Sequence, residues 1–219
     1  MSYLIAIDSG RQLKYTGTLS GNYKEVLDFY SELEKIFITR GIKPPFHYSK
    51  LTRKQKILFR SRVIKIINNS NMKINVFFHK IPRGYSHKDY YLVHIPNCIS
   101  ENLESWIKSQ RKDCDIELIV NEDYNIRNQK NGTNIFIENL IRQIGLRVTG
   151  KVVAIFDKTR QDKKIRATLK LLNGSIIDFY ASKAQTRDSK EVQLIDIILG
   201  YYCDENKDFS RDRIHFRSI

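Results

Sequence analysis

Short, densely apolar runs alternate with segments of helical spacing along this chain, and two of those runs, YLIAI (3–7) and VVAIF (152–156), end directly in an aspartate. Such runs read as buried strands, the first closing on the turn residues Ser9-Gly10. QLKYTGTLSG (12–21) alternates like the second strand of a hairpin. Asn22 is a cap for a helix over 22–39, with Val26, Phe29 and Leu33 on its inner face and Gly41 as its stop. After Pro44-Pro45 the pattern gives a helix over 52–67 and a strand over 73–81. Residues 82–131 are less regular, with a helix at 100–112 and a strand at 116–121, and read as an insertion or lid. Then come a helix at 133–145 stopped by Gly145, the strand 152–156, a helix at 160–172, a strand at 175–181 and a helix at 189–202. Strands alternating with helices after a hairpin predict a mixed α/β sheet flanked by helices, as a single domain over 1–219.

The charge pattern narrows the function. Lys and Arg total 38 against 24 Asp and Glu, for a net charge of +14. From Lys35 to Lys88 there are fourteen basic residues and no acid, while the rest of the chain is balanced. Within that segment Phe59, Val63, Ile66 and Ile67 mark one helical face, and Arg53, Lys56 and Arg60 recur on another. A basic face without interspersed acids points to an external polyanion, in the first place nucleic acid; a solvated helix and an anionic membrane surface are the alternatives.

Cys98, Cys114 and Cys203 are few, odd in number and scattered, which suits reduced thiols rather than a disulfide framework. The N-terminus carries no basic leader, and even LIDIILGYYC (194–203) is interrupted by Asp196, so neither a signal peptide nor a membrane span is expected and a cytoplasmic location is.

The carboxylates supply candidate chemistry. Asp8 and Asp157 each follow an apolar strand, where side chains face the crevice in which open α/β sheets bind ligands. Asp188 precedes the last helix, and Asp196 lies inside it among apolar residues, where an uncompensated charge costs several kcal/mol. Four converging acids would hold divalent cations that activate water and stabilise a leaving oxygen, as phosphodiester hydrolysis requires. Each also has an ordinary reading: Asp8 in a turn, Asp157 and Asp188 as helix caps, and Asp196 bridged to Lys151 or Arg187.

The ordered set IAIDSG (5–10), VVAIFD (152–157) and DSKEVQLIDIILG (188–200) resembles an uncharacterised family of ribonuclease H-like proteins. That family is marked by an N-terminal strand ending in Asp-Glu-Ser-Gly and a C-terminal helix bearing Gln-Leu-Ala-Asp. Here the first motif lacks its Glu and Ile195 replaces the Ala. The resemblance implies a ribonuclease H-like fold with Asp8, Asp157, Asp188 and Asp196 as the acids and Gln193 and Leu194 as motif neighbours. FHYSKL (46–51) is similar to the family's His-containing segment, which makes His47 a site residue.

The expectation is a metal-dependent nuclease acting on DNA or RNA. Asp8, Asp157 and Asp196 would bind Mg²⁺ or Mn²⁺, Asp188 would complete the cluster, and Arg53, Lys56, Arg60 and Lys190 would hold phosphates beside His47. The alternative is a non-catalytic nucleic-acid-binding or adaptor protein of the same fold, and a third is a structural protein docking its basic face on an acidic partner. A zinc reading of His79, His87, His94 and Cys98 matches no familiar spacing, and no phosphate-loop or dinucleotide fingerprint is present. Tyr85, Tyr90, Tyr91 and Trp106 are candidates for stacking on unpaired bases, or for core packing.

Overall fold

A computed structural model describes residues 2–10, 15–78, 81, 83–84, 86–110, 112–121, 131–149, 157–158, 165–204 and 214–218. In chain order these form β1 (Ser2–Gly10), β2 (Tyr15–Asn22), α1 (Tyr23–Ile38), a 3-10 turn (Tyr48–Lys50), α2 (Arg53–Asn69) and β3 (Lys73–Phe78). There follow the helical turn α3 (His87–Asp89), a π-helical turn (Tyr90–His94), α4 (Ile95–Lys108), β4 (Cys114–Asn121) and α5 (Gly132–Thr149). The chain continues with β5 (Asp157–Lys158), β6 (Ile165–Lys170), β7 (Ile176–Ala184), α6 (Lys190–Asp204) and β8 (Ile214–Ser218). The architecture is mixed α/β, with antiparallel and parallel strand pairs. It divides into two compact units: residues 1–3 with 81–183, and residues 4–80 with 184–219.

In the unit of residues 4–80 and 184–219, the strand order is β1-β2-β3-β8. β2 runs antiparallel to β3 in the register Tyr15↔Phe78 to Ser20↔Lys73, and β8 joins β3 in parallel. The Asn22 side chain accepts from the Lys24 amide, so α1 begins where the sequence places it. Its inner residues Val26, Phe29, Leu33 and Phe37 are buried, and the Phe37 ring meets Phe46 and Phe59, each at 5.0 Å. α2 opens on a capping box: Gln55 N–H donates to Thr52 Oγ1 and Thr52 N–H to Gln55 Oε1. Phe59, Val63 and Ile67 are buried as the spacing predicts. α6 packs on β2 closely enough that a Cβ at Gly17 would lie 2.7 Å from Leu199 Cγ, so a glycine is needed for helix and strand to approach.

In the unit of residues 1–3 and 81–183, the strand order is β5-β6-β7-β4. Here the structure corrects the helix expected at 160–172, because Ile165 to Lys170 form β6, antiparallel to β7 from Ile165↔Ala181 to Lys170↔Ile176. Ile165, Ala167 and Leu169 are buried while Arg166, Thr168 and Lys170 are exposed, the period of two that defines a half-buried strand. The hairpin closes through Leu171 N–H to Ser175 O, with Gly174 at φ 88°. Nor does Gly145 stop its helix: α5 continues to Thr149, and Gly145 packs where a Cβ would come within 3.4 Å of Leu169. α4 and α5 are tied by Arg147, whose guanidinium donates to Ser100 Oγ and Asn97 Oδ1 and faces Glu104. The strand expected at 152–156 lies outside the described residues.

Candidate functional site

The last helix organises the candidate site. The Ser189 hydroxyl accepts from Val192 N–H and opens α6, which then buries Val192, Leu194, Ile195, Ile197, Ile198 and Leu199. Within the apolar middle of this helix stand two polar residues one turn apart, Gln193 and Asp196. Spacing of three puts them on one face, and both are satisfied by the same short segment. Gln193 Oε1 accepts from Phe46 N–H at 2.9 Å, and Asp196 Oδ2 accepts from Tyr48 N–H at 2.8 Å. Amides two residues apart point the same way in extended backbone, so the helix grips residues 46–48 and His47 projects between the two bonds.

His47 Nδ1 lies 3.1 Å from Asp196 Oδ2, with the two side chains 34% and 17% exposed. Ser49 Oγ is 3.1 Å from the same nitrogen. Tyr30 donates its hydroxyl to Gln193 Oε1, and burial, reinforced by Glu34 and Glu191, pushes that hydroxyl up to about 12, so it remains a donor at neutral pH. Lys190 Nζ stands 5.4 Å over the Tyr30 ring.

Tyr48 fixes the other side. Its ring stacks edge-on with Tyr201 at 4.9 Å and lies so close to α6 that a Cβ at Gly200 would fall 2.0 Å from Tyr48 Cγ. Lys56 Nζ sits 3.9 Å over the same ring, and Tyr201 donates its hydroxyl to the Lys56 carbonyl. The start of the basic helix α2 is thereby joined to the carboxylate-bearing helix across 145 residues of chain.

Of the two partners expected for Asp196, Arg187 is engaged elsewhere. Arg187 pairs with Asp188 at 3.4 Å, Lys151 lies outside the described residues, and Asp196 is met by His47 and the Tyr48 amide. Asp188 is exposed in the turn before α6, where Ser189 supplies the capping hydroxyl. Asp8, only 1% exposed in β1, turns Oδ1 to the Ser9 amide at 2.7 Å. Asp157 opens the two-residue β5, backbone-paired with Arg166. It belongs to the unit of residues 81–183, whereas Asp8, Asp188 and Asp196 belong to the other. Arg53 is exposed at the start of α2, and Lys56 and Arg60 are half-buried along it.

A divalent ion needs several oxygen ligands converging with open positions. Among the described residues no group of three or more His, Cys, Asp or Glu side chains is arranged to hold one, and Asp196 Oδ2 is occupied by protein donors. The side chain of Asp157, one of the three expected metal ligands, lies outside the described residues. Of the zinc candidates, His94 Nε2 and Cys98 Sγ are 3.8 Å apart, a pair one helical turn apart; His79 and the side chain of His87 lie outside the described residues. Tyr90 and Tyr91 are buried, which overturns the stacking role for both, and Trp106 packs edge-on against Tyr3 at 5.2 Å. Among the described residues no helix is long and apolar enough to cross a membrane.

Sequence reasoning missed Tyr30, Tyr48, Ser49, Gly200 and Tyr201. Only Gly200 carried a signal, as a glycine inside an otherwise apolar helical run. Comparisons of the chain with protein families, with curated proteins and with solved structures give no match.

Proposed function

We propose that this chain is a nucleic-acid-binding phosphodiester hydrolase of ribonuclease H-like type, with His47 and Asp196 at its chemical centre and the acid-free segment around α2 as its substrate-binding surface. One observation carries the reading: the segment that holds the basic helix also supplies the His47 loop, which Gln193 and Asp196 anchor. His47 therefore stands in the most positive part of the sequence, where a phosphate backbone is attracted.

The chemistry follows from the ring. In the tautomer that carries its proton on Nδ1, 3.1 Å from the Asp196 carboxylate, the imidazole has its lone pair on Nε2, as a general base requires. Nε2 takes the proton of a water whose oxygen bonds to phosphorus, the phosphorus–oxygen bond to the leaving nucleoside breaks, and solvent protonates the departing oxygen. Lys56 offsets the negative charge of the phosphate. A binding-only reading is favoured by one feature, the engagement of Asp196 Oδ2 by a backbone amide, which is also how a purely structural latch is made.

Cleavage of single- and double-stranded DNA and RNA, with Mg²⁺, Mn²⁺ or EDTA, separates the two. The hydrolase reading expects His47→Ala to lower the rate by about 10²-fold or more while binding persists. Salt-sensitive binding without cleavage under every condition leaves the binding protein alone, and absence of binding overturns both.

A further inference from the structure

α2 has a second outward surface that the His47 site does not use. Its inner face is closed by Phe59, Val63 and Ile67, and Lys56 is turned onto Tyr48. On the solvent side Ile57 is 63% and Leu58 is 51% exposed, so the outer face expected to be simply basic carries two large apolar side chains in succession. A groove of about 670 Å³ runs there, lined by Ile57, Arg60, Ser61, Ile64, Lys65 and Asn68. Ile57 and Ile64 are one heptad apart, roughly 10 Å along the axis, with the small Ser61 between them in the lining.

We propose that this groove is the docking site for an acidic amphipathic helix of a partner protein. Two apolar anchors two turns apart, separated by a small residue, receive the apolar stripe of an incoming helix. Lys65 in the groove lining and the exposed Lys54 one turn before Ile57, in a stretch without a single Asp or Glu, select acidic flanks. A second copy of this chain is disfavoured because the same face would bring like charges together. Nucleic acid does not use the exposed isoleucine and leucine, since its backbone presents phosphate and sugar. A lipid surface is reached by a protruding apolar face, whereas here Ser61 and Asn68 lie in the concavity between and beyond the anchors. The proposal stands apart from the hydrolase reading and holds whether or not His47 is catalytic.

The test uses the full chain and a fluorescein-labelled helical peptide of about 18 residues, with leucines at heptad spacing and glutamates beside them. Controls are a scrambled peptide, the same peptide with lysines for glutamates, phosphatidylserine vesicles and a single-stranded DNA oligonucleotide. The acidic peptide is expected to bind at least about tenfold more tightly than the scrambled one, and Ile57→Ser with Ile64→Ser to remove about tenfold or more of that affinity. Should the double variant fail to fold, the surface charge reversal Lys54→Glu with Lys65→Glu tests the same claim by shifting preference toward the lysine peptide. Equal binding of the scrambled peptide, no binding, or unchanged preference after charge reversal overturns the proposal. So does binding of vesicles or DNA that the isoleucine variants weaken while the acidic peptide stays unbound.

Discussion

Replacing Gly200 by alanine adds a single methyl group to α6 and should dismantle the packing around Tyr48. The new carbon would lie 2.0 Å from Tyr48 Cγ, 2.2 Å from Cδ1 and 2.6 Å from Cβ, where carbon atoms normally rest at about 3.5–4.0 Å. The neighbour is the near part of a ring, not the free end of a flexible chain, and it is held by Tyr201, Lys56 and the bond from its own amide to Asp196. Overpacking of this kind costs about 2 kcal/mol, and losing an amide bond to a carboxylate costs about 2 kcal/mol more. The better helix propensity of alanine returns about 1 kcal/mol. The net is a destabilisation near 3 kcal/mol, or roughly 6–12 °C in melting temperature for a chain of this size. Urea and thermal melts read the loss, and amide hydrogen exchange reads its location as faster exchange at Tyr48. Gly145→Ala is the control, because its methyl would meet only the tip of Leu169 at 3.4 Å; its stability should stay within about 1 kcal/mol of wild type. A Gly200→Ala protein that melts with wild type and keeps Tyr48 protected would refute the close approach and the anchoring built on it.

Three further outcomes follow from the geometry. Tyr30 contributes stability fully below the ordinary tyrosine range near 10, and this is lost as pH rises toward its folded value of about 12. Between pH 9 and 11 wild type should therefore lose about 1.4 kcal/mol more than Tyr30→Phe, and parallel melting curves would contradict this. If α2 meets a nucleic-acid backbone, each of Arg53→Ala and Arg60→Ala should reduce the log–log salt slope of binding by about 0.7–0.9, measured by fluorescence anisotropy; an unchanged slope removes that residue from the interface. Arg147→Ala leaves Ser100 Oγ and Asn97 Oδ1 without their guanidinium donor and should cost about 1–3 kcal/mol in a urea melt, while Arg147→Lys recovers only part of it.

Much of the unit formed by residues 4–80 and 184–219 was legible because local signals and tertiary packing agree there. Asn22 caps the helix it precedes, and Phe59, Val63 and Ile67 follow one helical face. In the other unit two signals misled, one of periodicity and one of punctuation. IRATLK alternates with period two, yet its cations and apolar residues also fit a helical reading, and only pairing with β7 decides between them. Gly145 looked like a stop, but its missing side chain serves packing against Leu169. The apolar surroundings of Asp196 marked it as a charge in need of a partner. The identity of that partner was not local information, because His47 and Tyr48 lie almost 150 residues away and are brought in by backbone amides, whose bonding leaves no trace in residue type.

That anchoring also makes Asp196→Asn an informative substitution. Both protein donors meet Oδ2, and an asparagine keeps one carbonyl oxygen able to accept from Tyr48 N–H, so the loop can stay in place with a neutral side chain. The expected loss of stability is about 1 kcal/mol, the difference between a charged and a neutral acceptor. If Asp196 is only a latch, Asp196→Asn folds and functions nearly as wild type. If its charge orients and stabilises the His47 imidazole during proton transfer, the same folded variant loses hydrolysis while keeping nucleic-acid binding. Asp196→Ala cannot make this distinction, because it removes the acceptor and the charge together and leaves the Tyr48 amide without its partner.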